Sequence, residues 1–170
     1  KTAGEAAVKA VHTPGNLDTV KEAAKADLEK AAQAEKAEIA ADKSLTEAER
    51  KEKENAVDTK KAEEEAKITA AENADKVAEA KTAGVTAIKG VHTPGNLDTV
   101  KEAAKADLEK AAQAEKAEIA ADKSLTEAER KEKENAVDTK KAEEEAKITA
   151  AENADKVAEA KTAGEAAVKA

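Results

Sequence analysis

The sequence contains no cysteine, methionine, phenylalanine, tyrosine or tryptophan, and only two prolines and six glycines among 170 residues. Without cysteine the chain can form neither disulfides nor thiolate metal sites. Without aromatic rings it lacks the stacking surfaces that bind single-stranded nucleic acids, and its net charge of −8 repels a phosphate backbone. No apolar run approaches the roughly 18 residues of a transmembrane helix. The sequence therefore predicts no disulfides, no nucleic-acid partner and no membrane insertion.

Large apolar residues are also scarce, since 22 positions carry Val, Leu or Ile and 46 carry Ala. This content is too low for an ordinary large globular core, and together with the net charge it is typical of disordered chains. Ala, Lys, Glu and Leu are, however, strong helix formers, and the apolar residues recur at helical spacing. We therefore expect thin helical modules with Ala-rich seams in preference to disorder.

The main feature that the sequence does contain is a long internal repeat. Residues 11–80 recur without a substitution at residues 91–160, which is a period of 80. A fixed period of this kind marks a repeat array. The tag Lys-Thr-Ala-Gly stands at 1–4, 81–84 and 161–164, so the chain begins and ends at the same phase of the repeat. We expect a segment of a longer array whose copy number varies between strains, because identical copies indicate recent duplication.

Three helices are predicted in each repeat. The first follows Thr13-Pro14-Gly15, which suits a type II turn, and has Asn16 as its N-cap; it ends near residues 42–43. The second begins with the capping box of Thr46 and Glu49 and ends near residue 71. Asn73 caps the third, which stops before Pro94. Short connections between three helices predict an up-down-up bundle.

The predicted core residues share an apolar or small side chain on a helical stripe, with steps of three, four or eleven residues. They are Leu17, Val20, Leu28, Ile39, Val57, Ile68, Val77, Gly84 and Ile88. A glycine inside a helix costs about 1 kcal/mol relative to alanine, so Gly84 on the stripe predicts close approach of two helices. The helix caps and the joint between repeats are predicted at Asn16, Thr46, Asn73, Pro94, Gly95 and Asn96.

An odd number of helices means that the chain leaves each bundle at the end opposite to its start. The predicted fold is therefore all-α, with tandem three-helix bundles joined end to end into an elongated rod. We predict the end of a preceding third helix with its linker at residues 1–15 and a three-helix repeat at 16–92. A linker turn at 93–95 and a second three-helix repeat at 96–170 follow.

No group of residues predicts catalysis, a cofactor or a metal ion. His12 and His92 have no ligands at metal spacing, and a position near a helix C-terminus explains each. The run Glu63-Glu64-Glu65 lacks the loop oxygens of a calcium site and is expected to be a solvated helix face. Ser44 has no adjacent base and is expected in the turn between helices. We predict a protein that is not an enzyme.

The pattern resembles the Ala-rich three-helix tandem repeats of the domain of unknown function 1542, found in Gram-positive cell-wall-anchored surface adhesins. The matching segments are the Thr46–Glu49 opening of the second helix, its close at Ile68–Ala71, the start of the third helix at Asn73–Val77 and the stripe from Gly84 to Ile88. The resemblance implies an extracellular, cell-wall-anchored stalk that projects a distal binding domain, with a role in adhesion or biofilm accumulation.

Two alternatives to a passive spacer remain open. Low-affinity contact with a host extracellular-matrix or serum protein would gain avidity from repetition. Association between stalks in a biofilm is the other alternative, and the acidic surface opposes it at low salt. For the spacer itself the expected partners are neighbouring repeats of the same chain, in a monomer.

Overall fold

The computed structural model describes residues 2–170, and Lys1 of the predicted leading segment lies outside the described residues. This part of the chain contains seven helices and no strand. The helices are α1 (Thr2–Lys9), α2 (Leu17–Ala41), α3 (Glu47–Ala70), α4 (Ala74–Lys89), α5 (Leu97–Ala121), α6 (Glu127–Ala150) and α7 (Ala154–Lys169). The predicted all-α fold of tandem helical repeats is confirmed.

The helices begin where side chains cap their first turns. Asn73 Oδ1 accepts the Lys76 backbone N–H at 2.9 Å, and Asn16 Oδ1 accepts that of Asp18 at 2.9 Å. Thr46 and Glu49 form the reciprocal pair of a capping box, since each side chain accepts the backbone N–H of the other residue. In the second repeat Asn96 accepts the Asp98 N–H at 2.8 Å. These side chains satisfy N–H groups that have no partner within their own helix.

The segment that precedes the first helix of each repeat differs from the predicted type II turn. A type II turn needs a glycine with positive φ at its third position, and no glycine among residues 2–170 has positive φ. Thr13-Pro14-Gly15 is therefore not a type II turn, and it has no regular secondary structure. In the second repeat the N–H of Gly95 donates to the carboxylate of Asp42 at 3.0 Å, so a contact with the turn between α2 and α3 holds this segment.

The chain divides into two compact units whose limits differ from those of the sequence repeats. One unit holds Lys53–His92 and the chain up to Ala37, and the other holds Glu38–Glu52 and Thr93–Ala170. The turn between α2 and α3 therefore belongs to the same unit as α5, α6 and α7. The boundaries predicted at 16–92, 93–95 and 96–170 describe the sequence repeat, and they stay a prediction.

In the second unit, α5, α6 and α7 each pack against the other two. Their buried cluster consists of Ala104, Leu108, Ala112, Val137, Ile148, Ala151, Val157 and Val168. Three of these eight residues are alanines, so small side chains allow the helices to approach closely. A few large apolar residues are therefore enough to fill the interior of this unit.

In the first unit, each of α2, α3 and α4 contributes to the core. Leu28, Val57, Ile68 and Ile88 are 0 % exposed and Val77 is 1 % exposed. Gly84 is buried among them, and a Cβ atom built on it would lie 2.8 Å from Leu28 Cδ2. The predicted close approach of helices at Gly84 is confirmed.

Two residues of the predicted stripe lie nearer to the surface. Leu17 is half-buried, and Val20 is 41 % exposed, so its assignment to the core is wrong in the first repeat. Its copy Val100 is half-buried and packs against the core of the second unit. Because the local sequences are identical, this difference arises from the surroundings of each copy.

The acidic run Glu63-Glu64-Glu65 of α3 was predicted to be a solvated helix face. This prediction is wrong for its central residue, which is buried. Glu64 is 2 % exposed. Its Oε1 accepts the Lys67 ammonium at 2.7 Å, and its Oε2 makes no hydrogen bond to any described residue. Glu144 repeats this arrangement with Lys147 in α6. The carboxylate is buried because its Cβ belongs to the close contact at Gly84.

Candidate interaction site

The segment Asp42–Glu47, here called the first turn site, connects α2 to α3 and lies in the second compact unit. The backbone N–H and the hydroxyl of Ser44 donate to Asp42 Oδ1 at 2.9 and 2.5 Å. The Arg50 guanidinium donates to the Asp42 carbonyl at 3.3 Å. An aspartate that accepts from the residue two positions on forms an Asx turn. The turn is thus held by its own side chains, and Ser44 lies in it as predicted.

Three hydrogen bonds join the first turn site to residues of the second repeat. Asp42 Oδ2 accepts the Gly95 N–H at 3.0 Å, and the Lys43 carbonyl accepts the Ala154 N–H at 2.9 Å. The carboxylate of Asp155 accepts the Glu47 N–H at 3.1 Å. Ala154 and Glu47 are the first residues of α7 and α3. The contacts therefore satisfy N–H groups that neither helix can satisfy internally.

Gly95 fits this site because it has no side chain. A Cβ atom built on Gly95 would lie 2.2 Å from Ser44 Oγ and 3.1 Å from Ser44 Cβ. A side chain at this position would therefore require Ser44 to move. Pro94, also predicted at the joint, is exposed and takes no part in these bonds, because proline has no backbone N–H to donate.

The same sequence recurs at Asp122–Glu127, here called the second turn site. Ser124 donates to Asp122 Oδ1 through its N–H at 2.9 Å and its hydroxyl at 2.5 Å. These bonds, the hydroxyl first and the backbone second, hold the pKa of Asp122 below its ordinary value. Asp122, Ser124 and Thr126 are exposed, whereas their copies in the first turn site are half-buried. The two turns share the serine–aspartate hydrogen bonds, but Arg130 donates to the Leu125 carbonyl at 2.9 Å, whereas Arg50 donates to the Asp42 carbonyl.

Glu35 makes a separate contact within the first unit. It interrupts the apolar stripe of α2, yet it is only 3 % exposed, and its Oε1 accepts the His92 N–H at 2.9 Å. His92 is 5 % exposed, whereas its copy His12 is exposed. The copy of Glu35, Glu115, is half-buried. Glu35 thus holds the chain that follows α4, which explains an acidic residue on an apolar face.

Ion pairs between helices occur in both repeats. Lys61 of α3 contacts Glu29 of α2, and Lys141 of α6 contacts Glu109 of α5. The hydrogen bond to Lys61 is the largest cause that lowers the pKa of Glu29, and the same bond raises the pKa of Lys61. The Lys21 ammonium also donates to the Thr69 carbonyl near the end of α3 at 2.8 Å. Exposed pairs of this kind contribute little each, but they recur along the contact between helices.

The sequence predicted the caps and Gly95 but missed the partners of the turn. The local sequence did indicate structural roles for Asp42 and Asp155, since aspartate is common in Asx turns and in the first turns of helices. Their partners are 53 and 108 residues away, and no local pattern specifies such a pairing. Glu35 gave a signal as well, because a charge inside an apolar stripe requires a partner when it is buried.

Within residues 2–170, no group of three or more His, Cys, Asp or Glu residues is arranged to hold a metal ion. None of the described helices is both long enough and apolar enough to cross a bilayer.

Comparison with known families gives two matches to one model, described as Domain of Unknown Function (DUF1542). The matches cover residues 20–96 and 100–170. No curated protein and no solved structure matches the chain. The two matched segments correspond to the two repeats, and together they include most of the sequence.

Proposed function

Since the chain belongs to the DUF1542 family, we propose that it is a non-enzymatic spacer in the stalk of a bacterial cell-surface adhesin. In this role tandem repeats, joined end to end outside the cell wall, set the distance between the wall and a distal binding domain. A change in copy number would change that distance without a change in any binding residue.

The observation that carries the proposal is the hydrogen bonding of the first turn site to the second repeat. A flexible linker would let each repeat move independently of its neighbour. Here Asp42, the Lys43 carbonyl and the Glu47 N–H all bond to residues of the next repeat. The groups that form these hydrogen bonds are main-chain atoms or side chains that both repeats contain. Each added repeat can therefore form the same joint.

The absence of enzymatic activity is part of the same proposal. The buried polar residues have structural partners, since Glu35 accepts from the backbone of His92 and Glu64 from Lys67. A general acid or base must lie within hydrogen-bond reach of a substrate and have a pKa near the working pH. The residues that could titrate here instead hold helices and linkers in place.

The spacer proposal can be tested by measuring length against copy number. Arrays of one, two and four repeats would be compared by small-angle X-ray scattering. A helix of about 25 residues spans about 40 Å, so we expect the maximum dimension to increase by about that amount for each repeat. A maximum dimension that stays nearly constant as repeats are added would contradict the proposal.

A joint variant and a matched control make the test specific. Gly95→Val places a side chain against Ser44 and should broaden the distance distribution of the two-repeat chain. Gly15→Val changes the same sequence where an added Cβ atom would have no neighbour within 4 Å outside the adjacent residues, and should leave the distribution unchanged. Far-UV circular dichroism would verify that both variants keep their helix content.

A further inference from the structure

We propose that neighbouring repeats unfold together as one cooperative unit, because each repeat supplies a hydrogen-bond partner to the first turn of a helix in the other. These two bonds, here called the shared caps, join Ala154 to Lys43 and Glu47 to Asp155. The coupling concerns how an array resists unfolding, whereas the spacer proposal concerns the length of the array.

The third helix of the second repeat takes one of its caps from the first repeat. Within the second repeat, the Asn153 side chain accepts the Lys156 N–H at 2.9 Å. The N–H of Ala154, the first residue of α7, donates instead to the Lys43 carbonyl at 2.9 Å. The N–H groups of a first helical turn have no partner inside their helix. Unfolding of the turn at Lys43 therefore removes a cap of α7 that lies outside its own repeat.

The dependence runs in the opposite direction at the start of α3. The Thr46 hydroxyl accepts the Glu49 N–H within the first repeat at 3.3 Å, whereas the Glu47 N–H donates to the Asp155 carboxylate at 3.1 Å. A negative charge at a helix N-terminus also interacts favourably with the helix dipole. Asp155 of the second repeat thus stabilises α3 of the first, so the shared caps act in both directions.

The contact around the shared caps also covers apolar surface. Ala154 is 3 % exposed, whereas its copy Ala74, which contacts no preceding repeat in this structure, is exposed. A Cβ atom built on Gly95 would lie 3.1 Å from Ser44 Cβ, so the linker lies against the turn of the first repeat as well. Unfolding of either repeat would return this surface to water, which opposes the separate unfolding of one repeat.

Two helices of the first repeat have residues in both compact units. The helices α2 (Leu17–Ala41) and α3 (Glu47–Ala70) belong to the first unit, except that the segment Glu38–Glu52 belongs to the second. Their ends in the second unit are therefore residues 38–41 and 47–52. Isolated helices shorter than about 12–15 residues are marginal in water. If the first unit unfolds, these short ends lose their helical structure, and the shared caps are lost with them.

The small core of each unit makes such a coupling effective. Three of the eight residues in the buried cluster of the second unit are alanines. The stability of a tandem array is approximately the sum of the stabilities of its single repeats and the contributions of their interfaces. When single repeats are only weakly stable, the interfaces determine whether the repeats unfold singly or together. The shared caps and the helices common to both units supply this interface contribution.

Selective destabilisation of one repeat tests the coupling. Leu28 is 0 % exposed in the core of the first unit, and Leu28→Ala opens a cavity there without changing the second repeat. The whole chain would be unfolded by heat and followed by far-UV circular dichroism. We expect one transition at a lower temperature than in the parent, with the full loss of helical signal. Two transitions, each with about half of the helical signal, would overturn the proposal.

A milder core variant covers the case in which Leu28→Ala unfolds at room temperature. Loss of all helical signal in that variant would still support coupling, and retention of about half would contradict it. Ile68→Val removes one methylene from a side chain that is also 0 % exposed, so this variant should fold. Its single transition should shift without broadening. Array length does not enter these measurements, so their failure would leave the spacer proposal standing.

A matched pair of variants tests the shared caps themselves. Asp155→Ala and Asp75→Ala each remove the acidic residue from the first turn of a third helix. Asp155 accepts the Glu47 N–H of the other repeat, whereas Asp75 is exposed. We expect the melting midpoint to fall by roughly 2–4 °C more in Asp155→Ala than in Asp75→Ala.

Combination with the core variant completes the test. Leu28→Ala with Asp155→Ala should give a transition that broadens or divides, because the weakened joint lets the first repeat unfold before the second. Leu28→Ala with Asp75→Ala should keep the single transition of Leu28→Ala alone. Equal midpoints and equal widths in the two combinations would overturn the role of the shared caps.

Discussion

Gly84 lies so close to Leu28 that a Cβ atom on the glycine would be 2.8 Å from Leu28 Cδ2. The same atom would be 3.1 Å from Glu64 Cβ, so α2, α3 and α4 meet at this glycine. Helix propensity alone would favour alanine there by about 1 kcal/mol. The missing side chain is what allows the three helices to approach, and the second repeat uses Gly164 against Glu144 and Leu108 in the same way.

Gly84→Ala should therefore destabilise the first unit. An added methyl group in a filled core costs about 1–3 kcal/mol, and the gain in helix propensity offsets about 1 kcal/mol of that. We expect a net loss of up to about 2 kcal/mol in the free energy of unfolding, measured by urea denaturation. Gly4→Ala is the matched control, because a Cβ atom added to Gly4 in α1 would meet no atom within 4 Å outside its own helix. A Gly84→Ala protein more stable than the parent would mean that Leu28 moves aside at little cost.

Glu64→Met should stabilise the first unit. Glu64 is buried with Oε2 unbonded to any described residue, and a buried polar atom without a partner costs about 1–3 kcal/mol. Methionine keeps the methylene contact with Gly84 and removes the carboxylate, while Lys67 is left exposed to solvent. We expect a gain of about 1 kcal/mol in urea denaturation, and the same from Glu144→Met. A loss in both variants would show that the ion pairs with Lys67 and Lys147 outweigh the burial of the carboxylates.

Two glycines near the joint should respond in opposite directions to alanine. Gly90 has φ −83° and ψ −5°, a conformation open to any residue, and an added Cβ would be 3.4 Å from its nearest neighbour. Gly90→Ala should therefore stabilise the chain by about 0.4–1 kcal/mol through the unfolded state. Gly95→Ala should destabilise the joint, because the added Cβ would lie 2.2 Å from Ser44 Oγ.

Thermal unfolding monitored by circular dichroism would compare these two variants with the parent. Equal stability of the two would mean that Ser44 rotates away from residue 95 without cost. A loss in Gly90→Ala would show that the end of α4 changes conformation in solution.

The sequence predicted those parts of the fold that local chemistry determines. Asn73 and Thr46 cap helices because their side chains accept N–H groups three residues on. The apolar stripes that include Leu28 in α2 and Ile68 in α3 follow from helical periodicity. The predictions for Val20 and Glu64 are wrong because burial depends on which other part of the chain packs against a helix face. The spacing of residues along the helix does not specify that. Val20 and Val100 demonstrate this directly, since identical neighbours leave one exposed and the other half-buried.

The stability of the folded chain should decrease both at acid and at alkaline pH. The hydrogen bond from Lys61 lowers the pKa of Glu29, and that from Lys161 lowers the pKa of Asp107. A carboxylate with a folded pKa below its unfolded value of about 4 stabilises the fold above that value. This stabilisation is lost as the pH falls through the folded pKa. Lys61 and Lys141 have raised pKa values, so their contribution is complete below about pH 10.4 and is lost as the pH rises through their folded pKa.

The change in net charge does not reverse the loss of stability at low pH. The sequence pI is about 5.1, so self-repulsion has already been relieved before these carboxylates are protonated, and further acid makes the chain positive. The unfolding midpoint should be flat between about pH 5 and 10 and fall outside that range, which a series of thermal melts would measure. Lys61→Met with Lys141→Met should lower the plateau and flatten the alkaline fall. A midpoint that rises below about pH 4 would mean that the paired carboxylates destabilise the folded chain.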